Sequence, residues 1–253
     1  MFICGIGVVW STLQGTFIWA APGWVIFNQT TFTYGMAAGI TLYFSNILFL
    51  EGLKRLDVSI GSTIYRLNTV GVVILSVLIL NEPMTWLKGT GIVLAILCVL
   101  LLYETGDSVK IKQNHSSVFL LLLILASFLR ACYGVIIKAG IVNRADPQSM
   151  IIFVALCWVF GGLMYARFKE NRCRLDLKTS LYSGVSGVMV FLIVLFLTYG
   201  LQYGEAVIVI PIANMSFVVA LGIAVIMGME MLTLKKALSI VIAAVAITCL
   251  SVS

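Results

Sequence analysis

The sequence predicts an all-α polytopic membrane protein with nine transmembrane helices, arranged as two inverted repeats of four and five helices. Three observations lead there: the composition, the lengths of the apolar runs, and a 148-residue register between the two halves. Of the 253 residues, 61% are apolar and only 10% are charged, with a mean hydropathy of +1.11. A soluble domain carries about 25% charged residues, so this chain cannot cover itself with a polar face. At ~20 residues per span, its length has room for about nine or ten crossings with loops. The composition excludes a soluble enzyme, a nucleic-acid module and a disulfide scaffold. The lipid bilayer is therefore the predicted environment, as a multi-pass protein of the cell membrane.

The apolar runs fall at about 1–20, 35–53, 58–80, 88–103, 117–139, 147–168, 181–203, 206–227 and 234–252. The first begins at Met1 without a basic leader or a small-residue cleavage site, so it reads as a span rather than a signal peptide. Between the first two runs, Ala21 to Tyr34 carries Trp24, Ile26, Phe27 and Phe32 and reads as a loop at the membrane interface. In the second run, Gly35-x-x-x-Gly39 offers a surface on which another helix packs closely. The fourth run is short and starts as early as Met84.

Positive charge then sets orientation. Alternate loops carry eleven basic residues: Lys54, Arg55, Lys110, Lys112, Arg167, Lys169, Arg172, Arg174, Lys178, Lys235 and Lys236. The other loops carry three, Lys88, Lys138 and Arg144. The basic set is expected in the cytoplasm, which puts the N-terminus inside and the C-terminus outside. No Cys-x-x-Cys pair occurs and His115 is the sole histidine, so no metal site or other cofactor is implied.

Shifting the chain by 148 residues superposes its halves without a gap. Trp10 falls on Trp158, Gly39 on Gly187, Gly52-Leu53 on Gly200-Leu201, and Asp57 on Glu205. Glu82 meets Glu230, Thr85 meets Thr233 and Lys88 meets Lys236, within thirteen identities over residues 52–102. Chance explains matching Leu, Val and Ile but poorly explains matching Gly, Thr, Lys and acids in one register. The shift advances the chain by an odd number of spans, so the second copy is inverted. The charges agree, since the basic loop after Arg167 falls on the uncharged Trp19–Thr33. The expected domains are residues 1–105 and 106–253. Residues 117–139 would match positions before Met1, so the first repeat is expected to lack its first helix.

Within this frame, two copies of a helix followed by Asn81-Glu82-Pro83-Met84-Thr85 or Met229-Glu230-Met231-Leu232-Thr233 and a Gly/Ala-rich closing helix resemble a known pattern. So do the acid-led fourth helices, which start at Asp57-Val58-Ser59 and Glu205-Ala206-Val207. The chain resembles the drug/metabolite transporter superfamily with its EamA-type repeat. That resemblance implies ten helices in two inverted bundles around a central cavity, which carries small organic solutes. The expected arrangement departs from it by lacking the first helix and by its expected outside C-terminus, since members usually keep both termini in the cytoplasm.

Arg66 and Arg130 lie in mid-span, where a charge costs roughly 2.5–3.5 kcal/mol on insertion scales and marks a pathway or a bonding partner. Two guanidiniums favour a substrate with a carboxylate or other anionic group. The competing reading is structural, with Arg66 held by a neighbouring carbonyl or by Glu51. Asn214 is the repeat equivalent of Arg66, and Ser216 that of Asn68. Pro211, three residues before Asn214, is placed to kink its helix and free carbonyls. The expected substrate-binding residues are Arg66, Asn68, Arg130, Tyr133 and Asn214, with Tyr43 and Tyr199 as secondary contacts. Glu82 and Glu230 are expected to cap helix N-termini or pair with Lys88 and Lys236, and Trp10 and Trp158 to pack.

A nucleophile-and-base set is absent, so enzyme activity is not expected. The predicted function is secondary transport, by alternating access, of a small organic solute bearing a carboxylate or another anionic group, such as an amino acid or metabolite. The alternatives are an exporter of cationic or hydrophobic amines and drugs, in which tyrosines replace the arginines, or a truncated non-transporting paralogue. The expected partners are the small-molecule substrate and lipid, with no nucleic acid; the oligomeric state is left open.

Overall fold

The structure, a computed structural model, describes residues 2–20, 28–53, 64–66, 68–103, 116–170, 177–216 and 234–252. Among them every regular element is helical: α1 (Phe2–Ala20), α2 (Gln29–Gly52), α3 (Asn68–Leu80), α4 (Trp86–Tyr103), α5 (Ser116–Val142), α6 (Pro147–Tyr165), α7 (Leu177–Tyr203), α8 (Ala206–Asn214) and α9 (Leu234–Val252). Residues 64–66, just before α3, are also helical. A helix satisfies its own backbone polar groups, which is what a lipid solvent demands. Among the described residues, four stretches are long and apolar enough to cross a bilayer: Gln29–Gly52, Val118–Val142, Pro147–Phe168 and Lys178–Tyr203.

Several boundaries differ from the sequence reading. α2 starts at Gln29, so residues 29–34 are helical rather than part of the expected interfacial loop. The Phe32 amide donates to the Asn28 carbonyl at 3.0 Å, and the Thr33 hydroxyl donates to the Gln29 carbonyl at 2.8 Å. The polar residues of this stretch thus serve the first turn. Trp24, Ile26 and Phe27 lie outside the described residues, as do Lys54, Arg55, Asp57, Lys110, Lys112, His115, Arg172, Arg174 and the segment holding Glu230. α5 runs on to Val142, which places Lys138 inside a helix rather than in a loop. α6 ends at Tyr165 and passes into a π-helical turn, Ala166–Glu170.

The joints follow local chemistry. Asn81 adopts a φ of 52° between α3 and α4, a left-handed conformation that asparagine tolerates better than most residues. Asp146 caps α6, accepting the Ser149 amide at 2.8 Å, and Pro147 occupies the first turn, where an amide donor is not needed.

The chain divides into two compact units, each drawing on both halves of the sequence. The first holds residues 1–44 and 136–203. In it α1 packs on α6 and α7, and Trp10 meets Trp158 edge-on with ring centroids 5.8 Å apart. Gly35 and Gly39 bring α2 against α6. A Cβ on Gly39 would lie 2.6 Å from the Cys157 sulfur and 3.0 Å from Val154 Cα, so only glycine permits this approach. Gly187 repeats the contact on α1, where a Cβ would lie 2.7 Å from Val9 Cβ and 3.1 Å from the Ile6 carbonyl oxygen. Each residue in the second set stands 148 from its counterpart in the first.

The second unit holds residues 45–135 and 204–253. α4 packs along α9 through a buried cluster that includes Ala95, Cys98, Ala243 and Ala246. Here too the members pair at an interval of 148: Ala95 with Ala243 and Cys98 with Ala246. α5 presses on α3 at Gly71, where a Cβ would be 2.9 Å from Ala131 Cβ. It presses on α8 at Gly134, where a Cβ would be 2.5 Å from Ile210 Cδ1.

Candidate functional site

The polar side chains of the second unit converge on α8, a helix of nine residues. Its carboxyl end carries Asn214, one turn after Pro211, which lacks the amide that would bond the Val207 carbonyl. The Arg66 guanidinium donates through Nη1 to the Asn214 main-chain oxygen at 2.7 Å. A cation at the carboxyl end of a helix complements the helix dipole.

The Asn214 side chain completes the junction. Its Nδ2 donates to Asn68 Oδ1 at 2.8 Å and to Thr69 Oγ1 at 2.9 Å. Thr69 in turn donates to the Arg66 carbonyl at 3.2 Å. Asn68 and Thr69 are 3% and 5% exposed, so these bonds replace water rather than compete with it. A void of about 10 Å³ remains between Arg66, Thr69, Ala95, Pro211 and Asn214, about enough for a single water.

Asn68 also borders an open cavity of about 210 Å³, lined further by Ile64, Gly71, Ile124, Ser127 and Phe128. Its lining is mainly apolar; Asn68 and Ser127 are buried, while Ile124 and Phe128 are half exposed. Ser127 donates to the Tyr65 carbonyl at 3.4 Å, and the Tyr65 hydroxyl lies 3.2 Å from Ser45 Oγ. On α5 the Arg130 guanidinium sits 5.3 Å from the centre of the Tyr133 ring, a cation–π distance. Tyr133 is 2% exposed, and its hydroxyl has no hydrogen-bond partner among the described residues.

The amino end of α8 is held as firmly. Glu82 accepts the Ala206 amide on Oε1 at 2.8 Å and the Val207 amide on Oε2 at 2.9 Å. Glu205, at the N-cap, makes no capping bond of its own and pairs with Lys88, whose Nζ also donates to the Pro83 carbonyl at 2.9 Å. The expected capping role of Glu82 is thus found, on a helix distant in sequence. Its expected alternative is corrected: the ion pair of Lys88 is with Glu205.

Of the residues singled out by sequence, the structure joins Arg66 and Asn68 each to Asn214 and sets Arg130 against Tyr133. Tyr43 and Tyr199 belong to the first unit, where the Tyr43 hydroxyl donates to the Gly161 carbonyl at 2.7 Å. Thr69 and Ser127 were missed as site residues. Thr69 had a signal, since it stands three residues after Arg66 on the same face of the helix; Ser127 had none. No group of three or more metal ligands forms among the described residues.

A model of the EamA-like transporter family matches residues 1–104 and 117–252. A solved crystal structure superposes with a TM-score of 0.75 at 11% identity, covering 99% of this chain and 86% of that one, a likeness of fold alone. No curated protein matches the sequence.

Proposed function

Because the chain belongs to the EamA-like transporter family, we propose that it is a secondary transporter of the cell membrane for a small organic solute bearing a carboxylate or another anionic group. The observation that carries this reading is the cluster of half-buried Arg66 and Asn214 with buried Asn68 and Thr69, beside the 210 Å³ cavity. A guanidinium within apolar helices needs an acceptor, and an anion with two oxygens matches its fork better than a single carbonyl does. In this proposal Arg66 and Arg130 bind the charge, Asn68, Asn214 and Tyr133 supply hydrogen bonds, and Tyr43 and Tyr199 are secondary contacts.

Transport proceeds by alternating access between repeats spanning residues 1–105 and 106–253. Reciprocal contacts support a two-fold relation between them. Trp10 meets Trp158, Arg66 meets Asn214, and the contact of Gly39 with Val154 and Cys157 reappears as Gly187 with Ile6 and Val9. Equivalent residues touch one another where a two-fold axis passes. Repeats related in this way place the solute between them and supply two mirror-related states.

The test is uptake into proteoliposomes of purified protein, using labelled monocarboxylates, dicarboxylates and amines. Saturable uptake of a carboxylate, lost in Arg66→Ala and Arg130→Ala, is expected. Unchanged affinity in both variants overturns the anion reading. Uptake of amines alone assigns the chain to amine export, and no flux assigns it to a non-transporting paralogue.

A further inference from the structure

The open cavity beside Asn68 is walled by α3, by the helical residues just before it, and by α5. Ile64, Asn68 and Gly71 on one side, and Ile124, Ser127 and Phe128 on the other, recur at the spacing of one helix face. None of these lining residues is charged, and only Asn68 and Ser127 carry a polar side chain. That polar pair is 3% and 7% exposed, against 51% for both Ile124 and Phe128. Gly71 keeps the two walls close, since a Cβ there would lie 2.9 Å from Ala131 Cβ.

The polar pair has bonding capacity to spare. Asn68 accepts the Asn214 amide on Oδ1, which leaves its Nδ2 to donate. Ser127 gives its hydrogen to the Tyr65 carbonyl, which leaves the Oγ lone pairs to accept. An ion finds no counter-charge among these side chains, whereas an apolar group is covered by Ile64, Ile124 and Phe128. A closed apolar cavity of ~150 Å³ takes a benzene molecule, so roughly six to eight carbon atoms fit a space of this size.

We propose that the cavity between α3 and α5 holds an uncharged apolar arm of the transported solute, with Ile124 and Phe128 setting which arm fits. The proposal rests on the reading of the chain as a carrier of anionic solutes and adds the second part of the substrate. Asn68 joins the two parts, bonded to Asn214 and lining the cavity. The anionic head sits towards Asn68 and Asn214, and the arm runs along Ile124 and Phe128. Apolar burial is worth about fourfold in affinity per methylene, so the cavity selects by the length of the arm.

Binding of straight-chain carboxylates from acetate to decanoate tests this, by titration calorimetry on the full chain in nanodiscs with empty nanodiscs subtracted. The Kd is expected to fall about fourfold per methylene and to level off at roughly six to eight carbons, when the cavity is full. Hexanoate then binds roughly 60-fold more tightly than propionate. Ile124→Phe fills the cavity from a half-exposed position and is expected to cut that ratio to about fourfold, the worth of one methylene. Phe128→Ala enlarges the cavity and is expected to move the levelling-off to longer chains. Ser127→Ala is expected to weaken every carboxylate by about fivefold, one neutral hydrogen bond, and to leave the ratio as it was.

Equal binding of propionate and hexanoate, or a ratio that neither Ile124→Phe nor Phe128→Ala alters, overturns the arm and leaves the anion reading standing. Propylamine and hexylamine separate the two. If hexylamine binds with the same dependence on length and on Ile124 while the carboxylates do not bind, the arm stands and the anion reading fails. If neither series binds, both fail.

Discussion

Arg66 donates a hydrogen bond to the main-chain carbonyl of Asn214 at 2.7 Å, and the two residues stand 148 positions apart, the interval of the internal repeat. The contact therefore joins the same place in two copies of one sequence. The acceptor is a main-chain oxygen that any residue supplies, but a second arginine at 214 would set two guanidiniums together, and asparagine avoids that repulsion.

The Asn214 carboxamide ties α8 to α3 through two bonds to buried acceptors. Asn214→Ala removes both and leaves Asn68 Oδ1 without its donor. Interhelical hydrogen bonds in membranes are worth about 0.6 kcal/mol each, rarely above about 1.7. A loss of about 1–2 kcal/mol is expected in denaturant unfolding of the purified protein. Asn68→Asp, which preserves the acceptor, is expected to keep the Asn214 bond and the exchange protection of α8.

The Tyr133 hydroxyl has no bonding partner among the described residues, although the side chain is buried. Tyr133→Phe is therefore expected to leave stability within about 0.5 kcal/mol, whereas Tyr133→Ala leaves a cavity and costs about 3–5 kcal/mol. Transport separates a packing role from a binding one. If Tyr133 contacts solute, the phenylalanine variant raises the transport KM at unchanged stability; an unchanged KM removes Tyr133 from the site.

Gly39 and Gly187 make equivalent close contacts, with hypothetical Cβ distances of 2.6 Å to the Cys157 sulfur and 2.7 Å to Val9 Cβ. Alanine at either position overpacks the helix pair and is expected to cost about 1–3 kcal/mol. Gly15 and Gly184 have nothing within 4 Å of such a Cβ, so alanine there is expected to be neutral or stabilising by up to about 1 kcal/mol through helix propensity. Thermal unfolding of the four variants reads the contrast. Equal costs at all four would show that the close approaches are not retained in the membrane.

Lys88 is 2% exposed and its partner Glu205 35%. Removing one member of a buried pair strands the other, whereas removing both is tolerated far better. Lys88→Met is expected to cost roughly 2 kcal/mol, below the value for a fully buried pair because Glu205 reaches water. The double variant Lys88→Met with Glu205→Gln is expected to recover at least half of that. A double variant that is simply the sum of its parts would mean that the pair contributes no coupling.

The helices were legible in the sequence because each one is decided within its own segment. An apolar run in lipid has to close its backbone hydrogen bonds internally, and neighbours four residues away suffice for that. The Gly35-x-x-x-Gly39 surface and the equivalence of Arg66 with Asn214 were legible for a related reason, since spacing and register are properties of the chain alone. The start of α2 was not legible, because residues 28–33 read as part of an interfacial loop until their hydroxyls and carbonyls are seen to serve a helical turn. Nor was the choice of bonding partners. Glu82 caps a helix 124 residues away, Lys88 pairs with Glu205 across 117 residues, and Thr69 accepts from Asn214 across 145. A buried polar side chain must bond whatever packing brings within about 3 Å. The sequence thus determined which segments are helices and which positions correspond, while the tertiary structure decided which polar groups meet, because that depends on contacts between helices far apart in the chain.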